Sequence, residues 1–368
     1  MSEFVVPLAL LFVCSGLTSF IATAIVRNAA LTVGLVDQPG RRKIHTVATP
    51  RLGGLAIIFG FGFPLLLLAG NARAAELVTD NVTQLFGLLA AGSLVVGLGV
   101  YDDLVGTNAP KKFVVQIAAA LILVAFGFRF DVLSIATVEM DLGWLGAAAS
   151  VLWIVGIINA VNFIDGLDSL ATAVSLTTAL AFAVIAVLRY DLFSLVVMTA
   201  LGGSLVGFAP WNRPPAKIFM GDSGSLFIGL LLASIAIVKP SKSPTAILLG
   251  GPLLALALPA IDTLMVMRER FQGSDASVRQ RVGRIFDADR RHIHHILVER
   301  YGSTHKAVLS VWLVTVLFAA AAVMTSVGST KWLGYGTAAV ALVAILALRF
   351  RRKADVKAAP PTDAEVRA

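Results

Sequence analysis

The sequence predicts an all-α integral membrane protein with about 11 transmembrane helices, its N-terminus outside and its C-terminus cytoplasmic. Three observations predict it. Of the 368 residues, 57% are hydrophobic and only 14% are charged, where a soluble chain carries roughly 25% charged residues. The apolar residues gather into runs of about 20, enough to cross a hydrocarbon core of about 30 Å. Most Lys and Arg residues fall on one side of those runs.

In chain order the candidate spans cover about 4–26, 52–70, 84–101, 113–129, 143–162, 169–188, 191–209, 223–238, 246–265, 308–327 and 331–349. The first follows Glu3 and has neither a basic n-region nor a small-residue cleavage site, so it reads as a retained helix. The fourth and eighth are short, and a tight Arg189-Tyr190-Asp191 turn divides the sixth from the seventh. An odd number of spans puts the termini on opposite faces. The face of the C-terminus then holds 24 of the 30 Lys and Arg residues, leaving Arg73, Arg129, Arg189, Lys239, Lys242 and Lys331 on the other. Short loops alone divide nine to six in the same sense, which makes that face cytoplasmic.

The spans make one membrane domain over 1–350, with a cytoplasmic loop from about 266 to 307. The tail 351–368, rich in Ala, Pro and charge, is expected to be disordered. The 32 glycines suit close helix packing within one chain or between two, which leaves a homodimer open. Cys14 is the only cysteine, so the chain has no internal disulfide. The net charge of +8 comes without a basic stripe and interleaved aromatics, which argues against a nucleic-acid partner.

Four acidic or His-rich clusters and a basic loop lie on the predicted inner face. Asp102 and Asp103 are adjacent carboxylates where the third span meets water; they suit a shared cation, or are a solvated helix end. Asn159, Asn162, Asp165 and Asp168 recur every three residues along one helical side, broken at Gly166. Such a polar ladder at membrane depth implies a cavity or a ligand, although Asp168 alone suits a helix cap. Phe219-Met-Gly221-Asp222-Ser223-Gly224-Ser225 opens the eighth span as a Gly-flanked turn. Free backbone N–H groups there suit phosphate, and Asp222 among them suits a bridging metal; a plain N-cap is the bland alternative.

Arg290, Arg291, His292, His294 and His295 read as a cationic cradle for a pyrophosphate, or as a solvated amphipathic patch. No Cys or Glu completes a zinc set beside them. Lys43 and His45 belong to the basic stretch Asp37-Gln-Pro-Gly-Arg-Arg-Lys-Ile-His45, suited to anions or anionic lipid head groups. All five His residues fall on this face. Together these groups suit phosphoryl transfer at the lipid–water boundary, which rests on positioning and charge neutralisation. A transporter would instead place ionisable groups near the midplane in symmetric halves, and a scaffold would not need the clusters.

These residues resemble the polyprenyl-phosphate N-acetylhexosamine-1-phosphate transferases, from about Asp37 to Lys306, through five motifs in order. The motifs are DQPGRRKIHTVATPRLGG, the Asp102-Asp103 pair, NAVNFIDGLDSLA, FMGDSGS and RRHIHH. The resemblance implies Mg²⁺- or Mn²⁺-dependent transfer of a sugar 1-phosphate from a UDP-N-acetylhexosamine to undecaprenyl phosphate in a bacterial cytoplasmic membrane, releasing UMP. It implies Asp222, Asp102 and Asp103 as catalytic and metal-binding carboxylates, with Asp102 facing the lipid phosphate. Asn159, Asn162, Asp165 and Asp168 are implied on the nucleotide side, with Phe219 stacking on uracil. Arg290, Arg291, His292, His294 and His295 would hold diphosphate and sugar, and Lys43 and His45 belong to the basic first loop. Ser169 departs from the Gly common at that position. The order His-Ile-His-His and Asp262 are similar to the GlcNAc branch, so UDP-GlcNAc leads, another UDP-N-acetylhexosamine follows, and UDP-MurNAc-pentapeptide comes third.

Overall fold

The computed structural model describes residues 4–38, 48–69, 79–135, 138–238, 250–272, 292–327 and 329–358. The chain is a helical bundle. Its helices are α1 (Val5–Val33), α2 (Gly53–Ala69), α3 (Val82–Val105), α4 (Ala109–Ala125), α5 (Gly143–Ile164), α6 (Leu170–Leu188) and α7 (Leu192–Asn212). They continue as α8 (Gly221–Ile237), α9 (Gly250–Ala255), α10 (Ala257–Gln272), α11 (Ile293–Tyr301), α12 (Thr304–Thr325) and α13 (Lys331–Ala358). Two antiparallel ribbons join helices: β1 (Val36–Asp37) with β2 (Thr49–Pro50), and β3 (Val132–Ile135) with β4 (Val138–Asp141).

Helix starts follow local capping chemistry. The Asn108 side chain accepts from Lys111 N–H at 3.2 Å, and Pro110 fits the first turn of α4, where its missing N–H costs nothing. Asp191 caps α7 through Ser194 N–H at 3.1 Å, and Ser303 caps α12 through Lys306 N–H at 3.4 Å.

Seven helices among the described residues are long and apolar enough to cross a membrane: α1, α3, α5, α6, α7, α12 and the Lys331–Arg349 part of α13. Gly53–Leu68 and Gly221–Ile237 are shorter apolar helices beside them. The protein is thus an all-α, multi-pass membrane protein. The apolar run expected as one span at 246–265 is interrupted at Leu256, between α9 and α10, and α10 continues to Gln272. The tail keeps helical backbone to Ala358, where Ala, Lys and Arg favour helix locally.

Helix α8 is the hub. It packs against α2, α3, α5 and α6, and every residue from Ser223 to Ile237 is buried. Small residues make this possible. A Cβ on Gly54 of α2 would fall 2.0 Å from the Gly224 nitrogen, and one on Gly99 of α3 would fall 2.5 Å from Ser223 Cα. The start of α8 is therefore clasped backbone-to-backbone between two helices. Gly54→Ala is expected to destabilise the fold by at least about 2 kcal/mol through overpacking. Lowered thermal stability of the detergent-solubilised variant would show it; an unchanged melting temperature would mean that the clasp is loose.

Trp144 at the start of α5, Tyr190 between α6 and α7, and Trp332 at the start of α13 are exposed. All three lie at the bundle end opposite Asp102, Asp165 and Asp222, as the helix directions require. Amphipathic rings at that level suit a membrane–water interface.

Candidate active site

The C-terminal end of α3, the first turn of α4, the end of α5 and the start of α8 meet at one end of the bundle. Gly221 opens α8 with φ +74°, and a Cβ there would lie 2.7 Å from both carboxylate oxygens of Asp103. Only glycine lets Asp103 come so close. Its oxygens accept from the N–H groups of Asp222 at 2.9 Å and Ser223 at 3.0 Å. The backbone donors that the Gly-flanked turn offered to phosphate are thus occupied by Asp103. This carboxylate holds the helix start, where negative charge also meets the positive end of the dipole.

That cap aims Asp222 sideways. Its Oδ2 lies 2.5 Å from the Lys112 ammonium, which also donates to Asp102 Oδ2 at 2.8 Å. Its Oδ1 accepts from Asn162 Nδ2 at 3.1 Å, and Asn162 also donates to Ser225 Oγ at 2.8 Å. Asp102 Oδ1 is buried without a hydrogen-bond partner. Two carboxylates therefore converge on one cation position, with acceptor capacity left over. The three-carboxylate metal set expected from sequence is not assembled: among the described residues no group of three or more His, Cys, Asp or Glu side chains is arranged for a metal. Asp103 is turned to the backbone instead.

The polar ladder divides by position. Asn162 reaches Asp222, but Asn159 lies one turn deeper and pairs with buried Gln116 of α4, donating to its Oε1 at 2.6 Å. Asn159 is an interhelical clasp that removes the cost of an unpaired amide in the membrane. Asp165 carries an enclosed carboxyl held well above the usual carboxylate range. Burial is the first cause; like charge from Asp222, Asp103 and Asp168 follows, opposed by the Gly221 N–H. Asp168 accepts from Ala216 N–H at 2.9 Å, fixing the loop that leads into α8.

Phe219 sits half-buried at the rim, its N–H donating to Pro50 O and its carbonyl accepting from Gly53 N–H, both at 2.9 Å. These bonds tie β2, the described end of the basic first loop, to the site. Arg51 pairs with Asp37 across the base of that loop. Lys43, His45, Arg290 and Arg291 lie outside the described residues.

The His residues stack against the ladder. His292 lies 5.1 Å from the Phe163 ring and 5.8 Å from His294, and His295 is 4.3 Å from His294. A Cβ on Gly166 would come 2.9 Å from His294 Nε2, so the break in the ladder seats this ring. His294 is 1% exposed, and neither ring nitrogen has a partner. Burial first, then His295, pulls its pKa down to about 3, with Asp262 opposing and His292 adding to the fall.

An unfolded His titrates near 6.5. Below that pH the unfolded chain takes up a proton that folded His294 refuses. The stability tied to this residue is therefore complete above pH 6.5 and declines as pH falls toward 3, by up to about 1.4 kcal/mol per pH unit. Melting temperatures between pH 8 and 5 should fall less steeply in His294→Gln than in the wild type; equal slopes would contradict this.

The model of glycosyl transferase family 4 matches residues 85–239, which include every site carboxylate from Asp102 to Asp222. The chain is 34% identical over 336 residues to a probable undecaprenyl-phosphate N-acetylglucosaminyl 1-phosphate transferase of Bacillus subtilis, covering 90% of this chain and 88% of the relative. It belongs to glycosyl transferase family 4. A second relative is the decaprenyl-phosphate N-acetylglucosaminephosphotransferase of Mycobacterium tuberculosis, 34% identical over 95% of this chain and 90% of the relative. The phospho-N-acetylmuramoyl-pentapeptide-transferase of Streptococcus pneumoniae matches less of the chain, with 30% identity over 61% of it and 72% of the relative. With this family and these relatives, the protein is a phosphotransferase enzyme.

Lys112 bridges Asp102 and Asp222, a role that its place among the inner-face charges does not reveal in the sequence. Its signal is spacing alone: Lys112 stands ten residues after Asp102, on the next helix start. Nor does the sequence show the partners of Asn159 and Asp103, because pairing across helices leaves no local pattern.

Proposed function

We propose that this protein transfers GlcNAc 1-phosphate from UDP-GlcNAc to a polyprenyl phosphate at the cytoplasmic membrane face, releasing UMP. The observation that carries this reading is the convergence of Asp102 and Asp222 on one cation position at the bundle end. The names of the Bacillus and Mycobacterium relatives support the donor and the lipid class. The His-Ile-His-His order and Asp262 favour GlcNAc over the larger muramoyl pentapeptide. The excess of Lys and Arg on the site's side supports its cytoplasmic placement, and eleven crossings with an outside N-terminus accommodate that polarity. The small-residue faces allow a homodimer.

The residues fit Mg²⁺. Asp102 and Asp222 offer hard oxygen donors, and Asp102 Oδ1 is a buried acceptor awaiting a partner. Mg²⁺ is ordinarily held by one or two protein carboxylates together with substrate phosphates, which matches two converging carboxylates better than a closed protein cage. When bound, it would neutralise the charge of the leaving phosphate.

The chain's own groups do the rest. The lipid phosphate oxygen attacks the β-phosphorus of UDP-GlcNAc, the bond from that phosphorus to the bridging oxygen breaks, and UMP departs with the oxygen. Asp102 faces the incoming phosphate and accepts its proton where the monoanion binds. Lys112 supplies a fixed positive charge beside both reacting phosphates. Asn162 holds Asp222 in place, and Asp103 holds the start of α8. Phe219 and the ladder end at Asp165 receive the nucleotide, and the His cluster receives the sugar diphosphate.

The test is purified protein with Mg²⁺, undecaprenyl phosphate and a panel of UDP-sugars. UMP release with UDP-GlcNAc that requires the lipid is expected. Release independent of lipid, or solute flux into liposomes without UMP, would overturn the reading.

A further inference from the structure

Asp262 is 1% exposed, in the middle of α10, yet it is fully satisfied. Its Oδ2 lies 2.8 Å from His292 Nδ1; its Oδ1 accepts from Ile293 N–H at 3.0 Å and from Arg349 Nη1 at 3.1 Å. Arg349 is itself 4% exposed, comes from the last helix, and reaches Glu269 of α10 at 3.2 Å through Nη2. Arg300 of α11 donates to the Leu348 carbonyl at 3.1 Å. A buried carboxylate this deep would be costly without a counter-charge. Arg349 supplies it, so Asp262 is available as a charged acceptor for the imidazole.

We infer that Asp262 is a positioning residue that fixes His292 toward the sugar nucleotide, with Arg349 of the C-terminal helix as the third member of the set. Engaging Nδ1 orients the ring and leaves Nε2 as the nitrogen able to meet a ligand, the arrangement by which outer carboxylates hold working histidines. Phe163, the chain neighbour of Asn162, packs against the same ring with centroids 5.1 Å apart. His292 thus has a charged partner at Nδ1 and an aromatic neighbour from the helix end that also carries Asn162. The alternative is that Asp262 merely caps α11 through Ile293 N–H.

This inference rests on the proposed transferase activity, and a double-substitution cycle separates the two. Asp262→Asn should raise KM for UDP-GlcNAc about tenfold while kcat changes less than about threefold. His292→Gln should do the same. In Asp262→Asn combined with His292→Gln, the loss should not exceed that of His292→Gln alone, because one residue acts through the other. Arg349→Met should raise KM in the same direction, whereas a cap role leaves KM alone and lowers only the melting temperature. Losses in KM that multiply in the double variant, or KM unmoved by Asp262→Asn, would overturn the inference with the activity intact. If the wild type released no UMP with any UDP-sugar, the functional reading would fall and take the inference with it.

Discussion

Asp222→Asn is expected to abolish lipid-dependent UMP release while leaving the protein folded and membrane-inserted. The loss should be at least about a thousandfold, or roughly 4 kcal/mol of transition-state stabilisation at 1.36 kcal/mol per tenfold. Folding should survive because the start of α8 is held through backbone N–H groups by Asp103, which the substitution does not touch. The Asp222 side chain is 22% exposed, and its contacts, to Lys112 and Asn162, are polar ones that an amide can partly replace. An amide oxygen binds a hard cation weakly and leaves one carboxylate, Asp102, where two had met. UMP release and melting temperature measured on the same preparation decide the matter. Full activity would remove Asp222 from the chemistry, and lost folding with lost activity would make it a structural residue.

What could be read from the sequence depended on the range of each interaction. The long apolar helices were legible because each obeys a local length requirement; α5, α6 and α7 begin within two residues of their expected starts. The interruption at Leu256 was masked by the apolar composition around it, although Pro259, in the first turn of α10, cannot donate to the Ala255 carbonyl and so breaks the helix there. The meeting of Asp102, Asn162 and Asp222 was implied by shared polarity at helix ends and by the family resemblance. Their individual tasks were not legible. Asp102 and Asp103 are neighbours in sequence, yet one faces Lys112 and the other caps α8, because adjacent helical side chains point about 100° apart. Asn159 and Asn162 share a helical side, but one turn of depth separates a clasp to Gln116 from a contact with Asp222.

Lys112→Met should cut turnover about a hundredfold and, in the same variant, strengthen Mg²⁺ binding. The ammonium stands 2.5 Å from Asp222 Oδ2 and 2.8 Å from Asp102 Oδ2, so it neutralises the two groups proposed to hold the cation. Two unit charges about 4 Å apart interact by about 4 kcal/mol at an effective dielectric of 20. Removing the positive charge therefore deepens the attraction for a divalent ion by more than the residual screening offsets. The Mg²⁺ concentration that half-saturates the thermal shift should fall at least tenfold. Turnover moves the other way because the reacting phosphates lose a fixed counter-charge at the moment negative charge redistributes between them. A simple loss of structure cannot produce this opposition: it would weaken Mg²⁺ binding and turnover together. If Mg²⁺ bound less tightly to Lys112→Met, Asp102 and Asp222 would not share a cation site. If turnover were unchanged, Lys112 would be a clasp between α4 and α8 and nothing more.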